Sequence, residues 1–123
     1  MARINVKLEF PASPSGATFI KRFYGTVGDA VRDACGKPVS ADDLRNFSEA
    51  VSVVLRYHLM ESDLGDALVS LDMSVEYDEK EKEAELRKIT INEVHIWEKR
   101  ALEGWKPLSL IKKLGKISIA KSV

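Results

Sequence analysis

The sequence predicts an α+β fold, a two-layer sandwich in which helices pack on one face of a four-stranded antiparallel sheet. The sheet is expected to consist of two hairpins, giving the order ββ-αα-ββ-α. Apolar and polar residues alternate over 3–10 and again over 71–77, which is typical of strands with one buried face. Between these segments, apolar residues recur at helical spacing from Leu44 to His58. A sheet covered by helices on one face accommodates both periodicities.

The first hairpin is predicted from residues 3–10 and 17–24. Proline, serine and glycine concentrate at 11–16, a composition that ends strands and forms turns. Residues 17–24 are rich in aromatic and β-branched side chains, which favour a second strand. Because the connection is short, we expect the two strands to pair antiparallel.

Two helices are predicted to follow this hairpin. Thr26 is a suitable N-cap for the first helix, and Gly36 and Pro38 end it. The principal helix is expected over 40–60, where a serine cap precedes two aspartates in the first turn. A further short turn or helix is predicted around 62–69.

The second hairpin is predicted from residues 71–77 and 86–97, joined by the charged stretch 78–85. The apolar positions of the long second segment change parity midway, so that one half of it would turn its apolar side chains to the wrong face. A β-bulge near Asn92 and Glu93 would correct this phase.

The C-terminal part is predicted to be a basic helical extension, residues 98–123, of one domain that spans residues 1–123. Helices are expected around 98–103 and over 107–114, where a proline suits the first turn. Residues 116–120 either add an edge strand or stay outside the sheet.

Composition is typical of a globular protein that works without a membrane or disulfides. The 123 residues, 45% hydrophobic and 31% charged, suffice for one core. The single cysteine, Cys35, cannot form an internal disulfide, which favours a reducing compartment. No apolar run approaches the roughly 20 residues that span a bilayer, and the N-terminus lacks a signal-peptide core. We therefore expect a cytoplasmic protein with no membrane partner.

No catalytic or metal-binding motif is found in the sequence. Cys35 is expected at the C-terminal end of a helix, where the helix dipole disfavours a thiolate, so it is interpreted as a half-buried structural thiol. His58 lies on the apolar stripe of the principal helix, and His95 has no nearby serine or cysteine motif. The sequence thus predicts a non-enzymatic binding protein with no cofactor and no metal.

Charge is segregated along the chain although the formal net charge is zero. Residues 61–85 hold ten acidic and two basic residues, whereas residues 98–123 hold seven basic and two acidic residues. Bases interleaved with aromatics on an open sheet face suit single-stranded nucleic acid, because bases stack and phosphates pair with cations. The candidate nucleic-acid-binding residues are Lys21, Arg22, Tyr24, Trp105, Lys112, Lys113 and Lys116.

Two alternatives to nucleic-acid binding remain open at this point. In the first alternative, the chain is a homo-oligomeric assembly or adaptor protein. Its basic C-terminus would then dock on an acidic surface, either within one molecule or between two. Alternatively, it is a small enzyme whose cleft the sequence does not reveal. The zero net charge disfavours strong binding to duplex nucleic acid, because non-specific affinity grows with the number of neutralised phosphates.

The N-terminal part also carries a resemblance. A strand, a turn, a second strand and then Gly25-Thr26-Val27-Gly28-Asp29-Ala30-Val31 opening a helix resemble the start of β-grasp, ubiquitin-like sulfur carriers. Those carriers end in a Gly-Gly dipeptide, whereas this chain ends Ala120-Lys121-Ser122-Val123. The resemblance therefore implies a local arrangement of strands and helix over residues 2–35 and not the carrier chemistry.

Overall fold

The computed structural model describes residues 1–11, 16–59, 68–100, 104–107 and 116–121. Seven elements lie in these ranges: β1 (Ala2–Pro11), α1 (Gly16–Cys35), α2 (Ala41–Leu59), β2 (Leu68–Glu79), β3 (Ala84–Arg100), β4 (Gly104–Pro107) and β5 (Ile117–Ala120). The described chain therefore combines an antiparallel sheet with two helices, and the predicted α+β class is confirmed.

The strands form one antiparallel sheet in the order β1-β2-β3-β4, and β5 also pairs with β3. β1 pairs with β2 along its whole length, from Ala2 opposite Tyr77 to Pro11 opposite Leu68. β4 pairs with the end of β3 at 97–100, and β5 pairs with an earlier part of β3 at 88–91. Both short strands thus pair with the long strand β3, and β2 lies between β1 and β3 in the sheet.

The core contains side chains from both helices and from one face of the sheet. Every second residue of β1 is buried from Val6 to Phe10, as the alternation predicted. The core residues that the two helices contribute are at most 6% exposed: Phe19, Phe23, Val27, Val31, Phe47, Val51 and Leu55. The sheet residues between them are fully or almost fully buried, so one contiguous core joins all the long elements.

The predicted strand at 17–24 is wrong, because these residues form the first part of helix α1. Phe19, Phe23, Val27 and Val31 recur every fourth residue, and each of the last three is 0% exposed. Their burial on one helix face outweighs the β-propensity of the aromatic residues. The first hairpin and the resemblance to sulfur carriers are lost with this strand. β1 pairs with β2 instead, and the long segments run β1-α1-α2-β2-β3.

The predicted bulge in β3 is confirmed. Asp72 lies opposite Glu93 but Met73 lies opposite Ile91, so Asn92 is the extra residue. A second register shift leaves Arg87 as an extra residue. These irregularities keep Ile89 and Val94 on the buried side of β3 despite their opposite parity.

The C-terminal predictions have mixed outcomes. Residues 98–100 continue β3 and Pro107 ends β4, so the helices predicted at 98–103 and 107–114 do not form at these residues. Residues 101–103 and 108–115 lie outside the described residues. Of the two alternatives left open for residues 116–120, the strand forms, as β5 over Ile117–Ala120.

The turn or helix predicted around 62–69 is wrong at its end, because Leu68 and Val69 begin β2. Residues 60–67 lie outside the described residues. Of the two helices that the structure describes, neither has the length and apolar character needed to cross a membrane.

Candidate interaction surface

The sheet face opposite the core carries polar side chains in cross-strand rows. Residues of β1, β2 and β3 that alternate with the core positions point to this outer face. The rows, read from β1 to β3, are Arg3–Glu76–Lys88, Asn5–Ser74–Thr90, Lys7–Asp72–Glu93 and Glu9–Ser70–His95. Strand pairing thus brings residues from three distant parts of the sequence onto one surface.

A neutral hydrogen-bond chain crosses the middle of this outer face. Asn92 Nδ2 donates to Ser74 Oγ at 2.8 Å, and Ser74 Oγ donates to Asn5 Oδ1 at 3.2 Å. Farther along the row, the Thr90 and Ser118 hydroxyls lie 3.2 Å apart. Asn92 is the extra residue of the bulge, and Ser74 is only 4% exposed. These side-chain hydrogen bonds therefore connect β1, β2 and β3 at the middle of the outer face.

A shallow cleft of about 490 Å³ lies on the outer face beside these hydrogen bonds. It is lined by Lys7, Glu9, Leu68, Ser70, Asp72, Glu93 and His95. His95 Nε2 and Glu93 Oε2 lie 3.0 Å apart, within hydrogen-bonding distance. Ser70 lies opposite His95 but forms no hydrogen bond with it. Among the described residues, no three His, Cys, Asp or Glu side chains are grouped as metal ligands would be.

Most charges of the outer face have no ionic partner in the part of the chain that the structure describes. Within the described ranges, none of the side chains of Arg3, Lys7, Glu9, Asp72 and Glu76 takes part in an ion pair within 4.0 Å. The β1 members of this set are exposed, whereas Asp72 and Glu76 are half-buried. Among the described residues, these charges therefore have no ionic partner within one chain.

A second charged cluster joins the start of α2, the start of β3 and the residue after β5. Asp43 is 4% exposed and accepts a hydrogen bond from the Leu86 amide at 3.0 Å. Lys121 Nζ lies 2.8 Å from both Asp43 Oδ1 and Glu85 Oε1. Arg87 bridges Glu85 to Asp78 in the same cluster. One base from the C-terminal region therefore docks on acidic residues within the molecule.

The hydrogen bonds of this cluster shift the pKa values of its members. The bond from Lys121 holds the pKa of Glu85 below its ordinary value, and the bond from Arg87 lowers the pKa of Asp78. The bond to Asp43, followed by the bond to Glu85, raises the pKa of Lys121. Each of these shifts favours the charged form of Glu85, Asp78 or Lys121 at neutral pH, and the ion pairs attach Lys121 to α2 and β3.

The structure places the predicted nucleic-acid-binding residues on several different elements. Lys21 and Arg22 are exposed on α1, whereas Tyr24 is half-buried and packs against the core. Lys116 is exposed immediately before β5. The backbone of Trp105 lies in β4. The remaining two, Lys112 and Lys113, lie outside the described residues.

The basic and aromatic sheet face predicted over 17–24 is therefore wrong, since Lys21, Arg22 and Tyr24 belong to a helix. α1 packs against β1, and β5 pairs with β3 on the far side of β2. Lys116 therefore lies next to a strand paired with β3, whereas the α1 bases lie on a helix that packs against β1. These residues do not form one continuous described surface.

Sequence reasoning missed the residues of the outer face on β2 and β3, among them Ser70, Asp72 and His95. The alternation of β2 indicated which of its residues point away from the core, but only the pairing of β1 with β2 shows what lies beside them. Comparisons with known proteins match this chain to no family model, no curated protein and no solved structure. Function is therefore inferred from the surface itself.

Proposed function

We propose that this chain is a non-enzymatic assembly protein whose copies associate through the charged side of β1 and the outer sheet face. The proposal depends on one observation: in the rows of the outer face, charges of both signs on β1 and β2 have no ion pair among the described residues. A surface that mixes both signs in register can pair with a second copy of itself, because a two-fold rotation brings basic residues opposite acidic ones.

The sign of the outer face favours protein assembly over nucleic acid. Its charged side chains in the four rows are the bases Arg3, Lys7 and Lys88 and the acids Glu9, Asp72, Glu76 and Glu93. Phosphate binding needs an excess of cations, which these four described rows do not have. Exposed ion pairs are individually weak, so we expect an association that is reversible and sensitive to salt.

The mass of the protein in solution tests this proposal. Light scattering at increasing protein concentration should give masses above the 13.7 kDa of one chain at low salt, falling toward that value as salt is added. The triple variant Arg3→Gln, Lys7→Gln, Glu9→Gln should shift the equilibrium to the monomer. A matched control, Lys80→Gln, Glu81→Gln, Lys82→Gln, removes the same charges from an exposed turn and should behave as the wild type.

A monomeric wild type at every concentration and at low salt would refute self-association. Equal shifts in the two triple variants would show that overall charge, and not this surface, governs association.

Binding of single-stranded nucleic acid is the second candidate, favoured by the adjacent exposed bases Lys21 and Arg22 on α1. Fluorescence anisotropy with a labelled oligonucleotide should then show weak binding that falls with salt and is lost in Lys21→Glu, Arg22→Glu. The change Lys112→Glu, Lys113→Glu tests the C-terminal bases in the same assay. No binding at low salt would rule this candidate out.

A further inference from the structure

The geometry points to the free edge of β1 as the site at which two copies join, in a register that places Arg3 of one copy opposite Glu9 of the other. This inference rests on the proposed function, because it requires self-association, and it names the interface. The occupant is a second copy of this chain, which adds its own β1 as an antiparallel strand.

The free edge is long and lies in the outermost strand. β1 runs over Ala2–Pro11 and pairs with β2 on one side. Within the described parts of the chain, no strand pairs with its other side. An unpaired strand edge presents rows of N–H and C=O groups that a second strand can satisfy.

A hydrogen bond from α1 indicates which peptide groups face this edge. Arg22 Nη1 donates to the carbonyl oxygen of Glu9 at 3.4 Å. A residue of an antiparallel strand turns its N–H and its C=O to the same side, so the odd-numbered residues of β1 direct both groups away from β2. At 3.4 Å the bond from the exposed Arg22 is long, and an incoming strand can replace it.

The side chains of β1 select the register. With Val6 of both copies at the two-fold axis, Arg3 lies opposite Glu9 of the second copy, twice over, and Asn5 lies opposite Lys7. The exposed odd-numbered residues then form the hydrogen-bonded pairs, and residues 2–10 all overlap. None of these charges has an ion pair among the described residues that the new pairing would break.

A competing register, centred on Leu8, would pair Lys7 with Glu9. It overlaps only residues 5–11 and places Pro11, which has no N–H, at an edge-facing position. The register centred on Val6 therefore makes more hydrogen bonds and retains a charge pair at each end.

Charge reversal and its compensation test the register. Arg3→Glu and Glu9→Arg, each alone, should raise the dissociation constant of the dimer about tenfold, because like charges then face each other at both symmetric sites. The double variant Arg3→Glu, Glu9→Arg recreates the pair in reverse and should restore the wild-type constant. Sedimentation equilibrium gives the constants, and circular dichroism of each variant verifies the fold.

The double variant also separates the interface from effects within one chain. Arg3 lies opposite Glu76 of its own β2, so Arg3→Glu creates a like-charge contact there. The double variant keeps that contact, and only a contact between position 3 of one copy and position 9 of the other can explain its recovery. Lys82→Glu, on the exposed turn, is the control and should leave the constant unchanged.

The failures of the two proposals are distinguishable. A wild type that stays monomeric overturns the proposed function and this inference with it. A wild type that associates, with single reversals that do not weaken it or a double variant that does not recover, overturns the β1 interface alone. Recovery in Lys7→Glu, Glu9→Lys would overturn the stated register in favour of the one centred on Leu8.

Discussion

Asp43 joins three separate parts of the fold through its carboxylate. It lies in the first turn of α2, is 4% exposed, and binds the Leu86 amide of β3 and the Lys121 ammonium beyond β5. The loop before it is also attached to β3, since the Ser40 amide donates to the Ala84 carbonyl at 3.1 Å. A buried carboxylate with these partners stabilises the fold only while all of them remain in place.

Asp43→Ala should lower the free energy of unfolding by about 1–3 kcal/mol, because the buried Leu86 amide loses its acceptor. Urea unfolding followed by circular dichroism measures the change. Asp42→Ala is the matched control, since Asp42 is exposed in the same helical turn and, among the described residues, forms an ion pair only with Arg45 at 3.3 Å. It should cost less than about 1 kcal/mol. Equal losses in the two variants would contradict a special role for Asp43.

Stability should fall in acid through the same cluster. The pKa of Glu85 is lower in the folded chain than in the unfolded one, so its contribution is present above the ordinary value of 4.5 and is lost as pH falls through the folded value. Asp78, whose pKa Arg87 lowers, acts in the same direction. Thermal unfolding across this pH range should show a shallower acid decline in Glu85→Gln than in the wild type. Glu81→Gln, on the exposed turn, should leave the decline as it is, and a wild-type profile in Glu85→Gln would refute the link.

At the scale of elements, helix α1 shows where local pattern and tertiary packing compete. Its first half contains Phe19 and Phe23, whose ring centroids lie 5.9 Å apart. The ring centroid of Phe19 also lies 4.8 Å from that of Phe10 in β1. Aromatic content alone favoured a strand there, but a helix places both rings on the stripe that continues through Val27 and Val31. Gly25, in the middle of this helix, does not interrupt it.

Gly25→Ala should therefore raise the free energy of unfolding by about 0.5–1 kcal/mol, because alanine favours the helix and a Cβ there meets nothing within 4 Å. Gly36→Ala should instead destabilise the protein, because Gly36 ends α1 with φ of +76°, a conformation that alanine adopts at a cost. Chemical denaturation of both variants gives the two signs. Destabilisation by Gly25→Ala would argue against a continuous helix.

At the scale of the whole molecule, stability is concentrated around the central strand. β2 is paired on both sides, and its Leu71, Met73 and Val75 are 0% exposed. β5, by contrast, spans only Ile117–Ala120, and its residues are half-buried or exposed. Opening β2 requires the whole core to open, whereas β5 can separate locally.

Hydrogen exchange of backbone amides tests this distribution. The amides of Leu71, Met73 and Val75 should exchange most slowly, at rates set by global unfolding, and those of Ile117 and Ile119 should exchange much faster. Slower exchange in β5 than in β2 would contradict it. If two copies pair through the β1 edge, the Asn5 and Lys7 amides should exchange more slowly in concentrated solution than in dilute solution.

The sequence predicts whether a segment is a helix or a strand where its apolar residues keep one regular spacing along the whole segment. The alternation of β1 and β2, the helical spacing of α2 and even the bulge at Asn92 are local patterns that a single face of burial imposes. For the candidate surface, the same alternation indicates that Arg3 and Lys7 point away from the core. It cannot indicate their cross-strand neighbours.

By itself, then, the sequence determined the α+β class, the principal helix and the face that each undisturbed strand buries, because these depend on residues close together in the chain. Tertiary structure alone decided that residues 17–24 are helical, that β1 pairs with β2 and that Lys121 reaches Asp43. Each of these outcomes depends on contacts between residues far apart in sequence. The free energy of burying Phe19 and Phe23 against β1 exceeds the local preference for a strand, and no local pattern contains that contribution.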